Sequence, residues 1–71
     1  MATAVRAHIA GTVWKVEVDF DDEVEEGQTV VVLESMKMEM PVESPVSGRV
    51  TAIRVTPGRF VEEGEILIEL G

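Results

Sequence analysis

Apolar residues fall along this chain in short runs separated by acidic or glycine-containing breaks, and no window carries a sustained apolar stripe at helical spacing. The runs are rich in β-branched side chains, with 13 valines against three leucines. Such side chains are stiff about χ1 and suit a pleated, half-buried surface better than a helix. The pattern predicts an all-β domain. It also repeats: shifted by 37 positions, Gly11 falls on Gly48, Val13 on Val50, Val16 on Ile53, Val18 on Val55, Val24 on Val61, Glu25-Glu26-Gly27 on Glu62-Glu63-Gly64, Val31 on Ile68 and Leu33 on Leu70. Two copies, about residues 7–34 and 44–71, are too few for a solenoid, which needs about three repeats to bury a continuous core. They are expected to face one another about a pseudo-two-fold axis, each covering the other's apolar face.

Each copy reads as a strand, a glycine, a longer strand, an acidic turn, a Glu-Glu-Gly turn and a final strand. The first copy places strands at Val5–Ile9, Thr12–Val18, Glu23-Val24 and Val30–Ser35; the second at Met38–Val42, Arg49–Val55, Phe60-Val61 and Ile66–Leu70. Eight short strands with turn signals between them describe a sandwich or flattened barrel. Because side chains alternate across a strand, the polar Glu69 fixes the faces that the all-apolar Val30–Leu33 run leaves open. Val31, Leu33, Ile66, Ile68 and Leu70 should point inward, and Val32 and Glu69 outward. Val13 and Val50 are out of phase with Val16, Val18, Ile53 and Val55, which predicts a bend or bulge early in both long strands. Trp14 is in phase with Val16 and is expected to lie partly in the core. Gly27 and Gly64 should supply positive φ, and Asp21, the counterpart of Gly58, tolerates that region better than most residues.

A chain of 71 residues makes one small domain, 1–71, burying roughly 60% of its unfolded surface. A net charge of −8 disfavours nucleic acid and anionic membrane, leaving proteins and small molecules as partners. With no cysteine, disulfides and thiolate metal sites are excluded. No apolar run resembles a signal peptide or a membrane span, which predicts a cytoplasmic protein, and nothing requires more than a monomer. The first strand begins close to Met1, as expected of a free-standing chain. The acidic run Glu17–Glu26 fails as a calcium loop, because a loop starting at Asp22 puts Val24 and Leu33 at ligand positions. His8 has no second histidine or cysteine to join in metal binding and is expected to be an ordinary strand residue.

The chemistry concentrates between the copies, in Glu34-Ser35-Met36-Lys37-Met38-Glu39-Met40-Pro41. Lys15 is the only other lysine, and Met36, Met38 and Met40 are three of the four methionines. The chain must reverse here to enter the second copy, which puts Lys37 at or beside a hairpin tip. A lone tip lysine ordinarily guards a strand edge. Methionines beside it add adaptable apolar surface, which has a use only where something binds.

Glu34-Ser35-Met36-Lys37-Met38 resembles the attachment motif of the biotinyl/lipoyl carrier domains, in which the lysine of Met-Lys-Met is biotinylated. The resemblance extends through Gly11-Thr12-Val13, Val24-Glu25-Glu26-Gly27-Gln28, Leu33-Glu34, Pro45-Val46-Ser47-Gly48 and Val61-Glu62-Glu63-Gly64, and is closest to small free-standing attachment proteins and biotin carboxyl carrier domains. The chain departs from the pattern at His8 and Ala10, where prolines are common, at Asp21-Asp22 in place of Gly-Asp, and at Arg59. It has no insertion of the kind that forms a protruding thumb.

The resemblance implies two four-stranded antiparallel sheets in a flattened barrel, with Lys37 on an exposed turn carrying covalent biotin. Met36 and Met38 would be read by a biotin protein ligase and by the carboxylase, while Glu34 and Glu39 either solvate the motif or join in its recognition. A biotin carboxylase would load carboxylate and a carboxyltransferase would unload it; the chain, with one histidine, no cysteine and no nucleophile-base pairing, would do no catalysis itself. Two alternatives remain at this point. One is a lipoyl carrier in an acyl- or aminomethyl-transferring complex, although lipoyl domains usually have Asp before the lysine and a small residue after it. The other is an unmodified interaction domain that uses the methionine tip as a binding surface.

Overall fold

The computed structural model describes residues 2–71. Eight strands follow one another: β1 (Thr3–Arg6), β2 (Gly11–Val16), β3 (Glu23–Val24), β4 (Thr29–Ser35), β5 (Met38–Glu43), β6 (Gly48–Ile53), β7 (Phe60–Val61) and β8 (Ile66–Leu70). They form two four-stranded antiparallel sheets ordered β1-β8-β6-β3 and β5-β4-β2-β7. Under the 37-residue shift each sheet maps onto the other strand for strand. The halves are interleaved, since each sheet takes two strands from the first repeat and two from the second.

The repeat holds to the level of single pairings. Val31 faces Val42 and Leu33 faces Met40 in β4–β5, while their equivalents Ile68 and Leu70 face Val5 and Thr3 in β8–β1. Gly27 N–H donates to the Ser44 carbonyl at 2.8 Å, and Gly64 N–H to the Ala7 carbonyl at the same distance. Gly27, Gly64, Gly58 and Asp21 all have positive φ, so Asp21 takes in the first copy the conformation that glycine takes in the second.

The out-of-phase valines are explained by bulges. The β2–β4 register slips between Val13 and Lys15, and the β6–β8 register slips at the equivalent place, between Val50 and Ala52. A second pair of slips brings Val30 and Leu67 into the core beside Val31 and Ile68, so adjacent residues are buried where alternation predicts one. Val31, Leu33, Ile68 and Leu70 point inward as expected; Ile66, Val32 and Glu69 are half-buried. The core is one cluster of valines, Leu33, Leu67, Ile68, Leu70 and Ala7 shared by both sheets.

Four expectations need correction. Trp14 is 45% exposed rather than partly core, because it is the extra residue of the β2 bulge; its ring lies 5.1 Å from Lys15 Nζ. The first strand is Thr3–Arg6, not Val5–Ile9, because from Ala7 the backbone bonds to the β7–β8 turn instead. His8 therefore sits in a bend, with Nε2 3.1 Å from the Pro41 carbonyl oxygen. The long strands also end at Val16 and Ile53, although Val18 and Val55 beyond them are buried.

Candidate functional site

Strands β4 and β5 pair in register from Val31↔Val42 to Ser35↔Met38, which leaves two residues, Met36 and Lys37, to reverse the chain. Their φ values are 53° and 65°. Positive φ at both central residues marks the type I′ turn, whose twist matches that of the flanking strands and which normally uses Asn-Gly. Neither Met nor Lys favours this region, and each costs about 1–2 kcal/mol there relative to an ordinary conformation. The regular pairing behind the turn holds it closed.

The outcome is a rigid ribbon with an exposed end. Met36 is 89% exposed and Met38 63%, Lys37 is exposed, and Met40 is half-buried on the strand behind. Among the described residues Lys37 makes no ion pair and no side-chain hydrogen bond. Glu34 and Glu39 lie directly opposite each other on the outer face, a like-charge pair that slightly weakens the ladder and places negative charge one step behind the lysine. Among these residues no three His, Cys, Asp or Glu side chains converge as metal ligands.

The turn is braced from behind by residues whose part the motif does not reveal. A Cβ on Gly11 would lie 2.6 Å from the Glu34 carbonyl oxygen and 3.4 Å from Ser35 Cβ, so β2 reaches its closest approach to β4 only with glycine there. His8 ties the β1–β2 connection to Pro41 on β5. Pro41 lacks an N–H and sits in the outermost strand of its sheet, where none is needed for pairing. The repeated glycine at 11 and 48 was the available sequence signal for this contact; His8 gave none.

Lys37 stands at one pole of a body 33 × 19 × 18 Å. Strand β2 starts beside the hairpin, and the turn that follows it bonds to Val50, with Asp21 N–H donating to the Val50 carbonyl and Val50 N–H to that of Asp22. Next to Val50, Arg49 exchanges backbone hydrogen bonds with Gly71. Gly71 therefore lies at the pole opposite Lys37. The cleft of about 450 Å³ lined by Glu23, Val24, Glu25, Ser47, Gly48 and Arg49 is also at that far end and takes no part in the lysine site.

Comparison with known proteins places this geometry in context. A family model described as biotin-requiring enzyme matches residues 1–70. The biotin/lipoyl attachment protein of Bacillus subtilis is 47% identical over 66 residues, covering 93% of this chain and 90% of the relative. The biotin carboxyl carrier protein of Streptococcus mutans is 39% identical over 69 residues, covering 97% of this chain but 53% of the relative. Among solved structures, the urea carboxylase of Kluyveromyces lactis superposes with a TM-score of 0.94 at 32% identity, over 100% of this chain and 6% of that one.

Proposed function

The chain belongs to the biotin/lipoyl attachment family, and from that membership we propose that it is a biotin carboxyl carrier that holds biotin in amide linkage on Lys37. The observation that carries the assignment is the two-residue turn. It presents a primary amine with no competing partner among the described residues, between two exposed methionines, on a ribbon too well paired to fold back. Lys15, the only other lysine, lies within a strand against Trp14 and is presented quite differently.

The donor set fits the cofactor. An amide requires a neutral amine nucleophile, so Lys37 must give up its ammonium proton to a ligase. Nζ then forms the C–N bond to the carboxyl activated as an adenylate, the acyl–oxygen bond breaks, AMP leaves with its electron pair, and the nitrogen loses its second proton to the ligase or solvent. The carrier contributes geometry: the turn fixes the lysine backbone, and Met36 and Met38 offer apolar contact on both sides of the stem. Bound biotin would supply a ring nitrogen able to carry carboxylate between two active sites. The chain's part thereafter is to keep its load close to each site, which raises local concentration without catalysis by its own residues. A biotin protein ligase, a biotin carboxylase and a carboxyltransferase are the proposed partners.

A lipoyl load on the same lysine is the second reading, prompted by the name of the Bacillus subtilis relative. Intact-mass analysis tests both. The chain is incubated with ATP and either biotin plus a biotin ligase or lipoate plus a lipoate ligase, beside Lys37→Arg. A single biotinyl addition, absent from the folded Lys37→Arg variant, is expected. A lipoyl addition alone would transfer the assignment to lipoate, and no addition of either would remove the carrier reading.

A further inference from the structure

The hairpin has a chemical property that the attachment reaction does not use. Its two most exposed side chains beside Lys37 are thioethers, with Met36 at 89% and Met38 at 63% exposure, whereas Met40 is half-buried over the Leu33 pairing. The chain has no cysteine, so no thiolate competes for an oxidant. We propose that Met36 and Met38 form a reversible oxidation site whose state decides whether Lys37 can be loaded. The proposal rests on the carrier reading above.

The step balances with a hydroperoxide as oxidant. A sulfur lone pair attacks the terminal oxygen of hydrogen peroxide, the O–O bond breaks, one oxygen stays on sulfur and the other leaves as water. The thioether is oxidised by two electrons and the peroxide is reduced by two; the proton on the oxygen retained by sulfur passes to the departing hydroxide, which leaves as water. The product sulfoxide replaces an apolar, flexible contact by a strongly polar one. A ligase surface matched to a thioether must then desolvate the sulfoxide oxygen or leave a gap around it.

Geometry sets both the order and the isolation of the effect. Met36 occupies the turn and presents most of its surface to solvent, so it oxidises first, followed by Met38 and then Met40. Neither Met36 nor Met38 belongs to the core cluster, so their oxidation leaves the two sheets intact. A carrier that remains folded but is loaded much more slowly is the expected product, and a methionine sulfoxide reductase would restore it.

The test uses the unloaded chain. It is exposed to graded hydrogen peroxide, the peroxide is removed with catalase, and each sample is then assayed for biotin transfer by a biotin ligase. Peptide mapping follows Met36, Met38 and Met40, and circular dichroism follows the fold. Oxidation at Met36 and Met38 should lower kcat/KM by about tenfold or more, the loss expected when an apolar contact of this size fails, with the melting curve unchanged and with recovery after reductase treatment. The Met36→Leu/Met38→Leu chain, compared only with its own untreated sample, should lose no rate. Full sulfoxide formation at both positions with an unchanged rate would overturn the proposal, as would an equal loss in the leucine variant or oxidation of Met40 ahead of Met36. If the untreated chain takes up no biotin, it is the carrier reading that has failed, and this proposal goes with it.

Discussion

Strand pair β4–β5 and strand pair β8–β1 are the same structure used twice. Both are antiparallel, both share the register Leu33↔Met40 or Leu70↔Thr3, and both slip at the same point, where Val30 and Leu67 enter the core. They differ in how they end. Past Ser35 the chain turns through Met36 and Lys37 into Met38, whereas past Leu70 the next residue, Gly71, exchanges backbone hydrogen bonds with Arg49. The packing is thus indifferent to the lysine. The exposed lysine lies where the chain passes from one repeat into the next, outside the core that both pairs share.

The heaviest test of that equivalence is in the core. Leu33 and Leu70 occupy matched positions at 0% and 1% exposure, and replacing either by alanine should cost about 2–5 kcal/mol. Urea denaturation should give two similar losses; values differing by more than about 2 kcal/mol would show that the two pairs are not mechanically equal. Gly11→Ala and Gly48→Ala come next and should separate the pairs. The new Cβ meets the Glu34 carbonyl at 2.6 Å in the first case and Leu70 Cβ at 3.2 Å in the second. Gly11→Ala should therefore cost about 1–3 kcal/mol and slow biotin transfer to Lys37, with Gly48→Ala milder in stability and silent in transfer.

A smaller effect of opposite sign is expected at the turn. Met36→Asn places a residue suited to positive φ where methionine is strained, and should stabilise the unloaded chain by about 1 kcal/mol, raising Tm by about 4–8 °C. The same change should slow loading, so a rise in Tm with undiminished transfer would show that Met36 has no part in recognition. The smallest change is at the far pole, where Arg49 bonds Glu23 at 2.8 Å and lies 3.6 Å from Asp21, all three well exposed. Arg49→Ala should cost less than about 1 kcal/mol, an effect that fades in high salt.

Much of this architecture was legible because the chain states it twice. Glu69 resolved the face of an apolar run that has no polar member of its own, and the phase break at Val13 and Val50 marks the two bulges in the sequence itself. Where the prediction of β1 went astray, the second copy held the missing signal: Ala7–Ala10 corresponds to Ser44–Ser47, and Pro45 there opposes a continuing strand. Trp14 misled for a different reason. Large aromatics are usually buried, but a bulge aims its extra residue independently of phase. At the site, the motif indicated Lys37 and its methionines, while the type I′ geometry was hidden, since Met-Lys carries none of the residues that ordinarily announce that turn. The bracing by Gly11 and His8 depends on contacts distant in sequence, and only the fold brings them together.

The interleaving of the halves has a further consequence, for connectivity. Each sheet draws two strands from each repeat, so most of what holds the halves together is non-covalent and would be available to two separate half-length peptides meeting about a two-fold axis. Such an assembly would have open ends at both poles and no turn at either. The peptide that makes one molecule of the two halves is the Met36-Lys37 segment itself. Connectivity therefore puts Lys37 at the junction of the two halves, and the residues that join them are the ones that present the exposed amine.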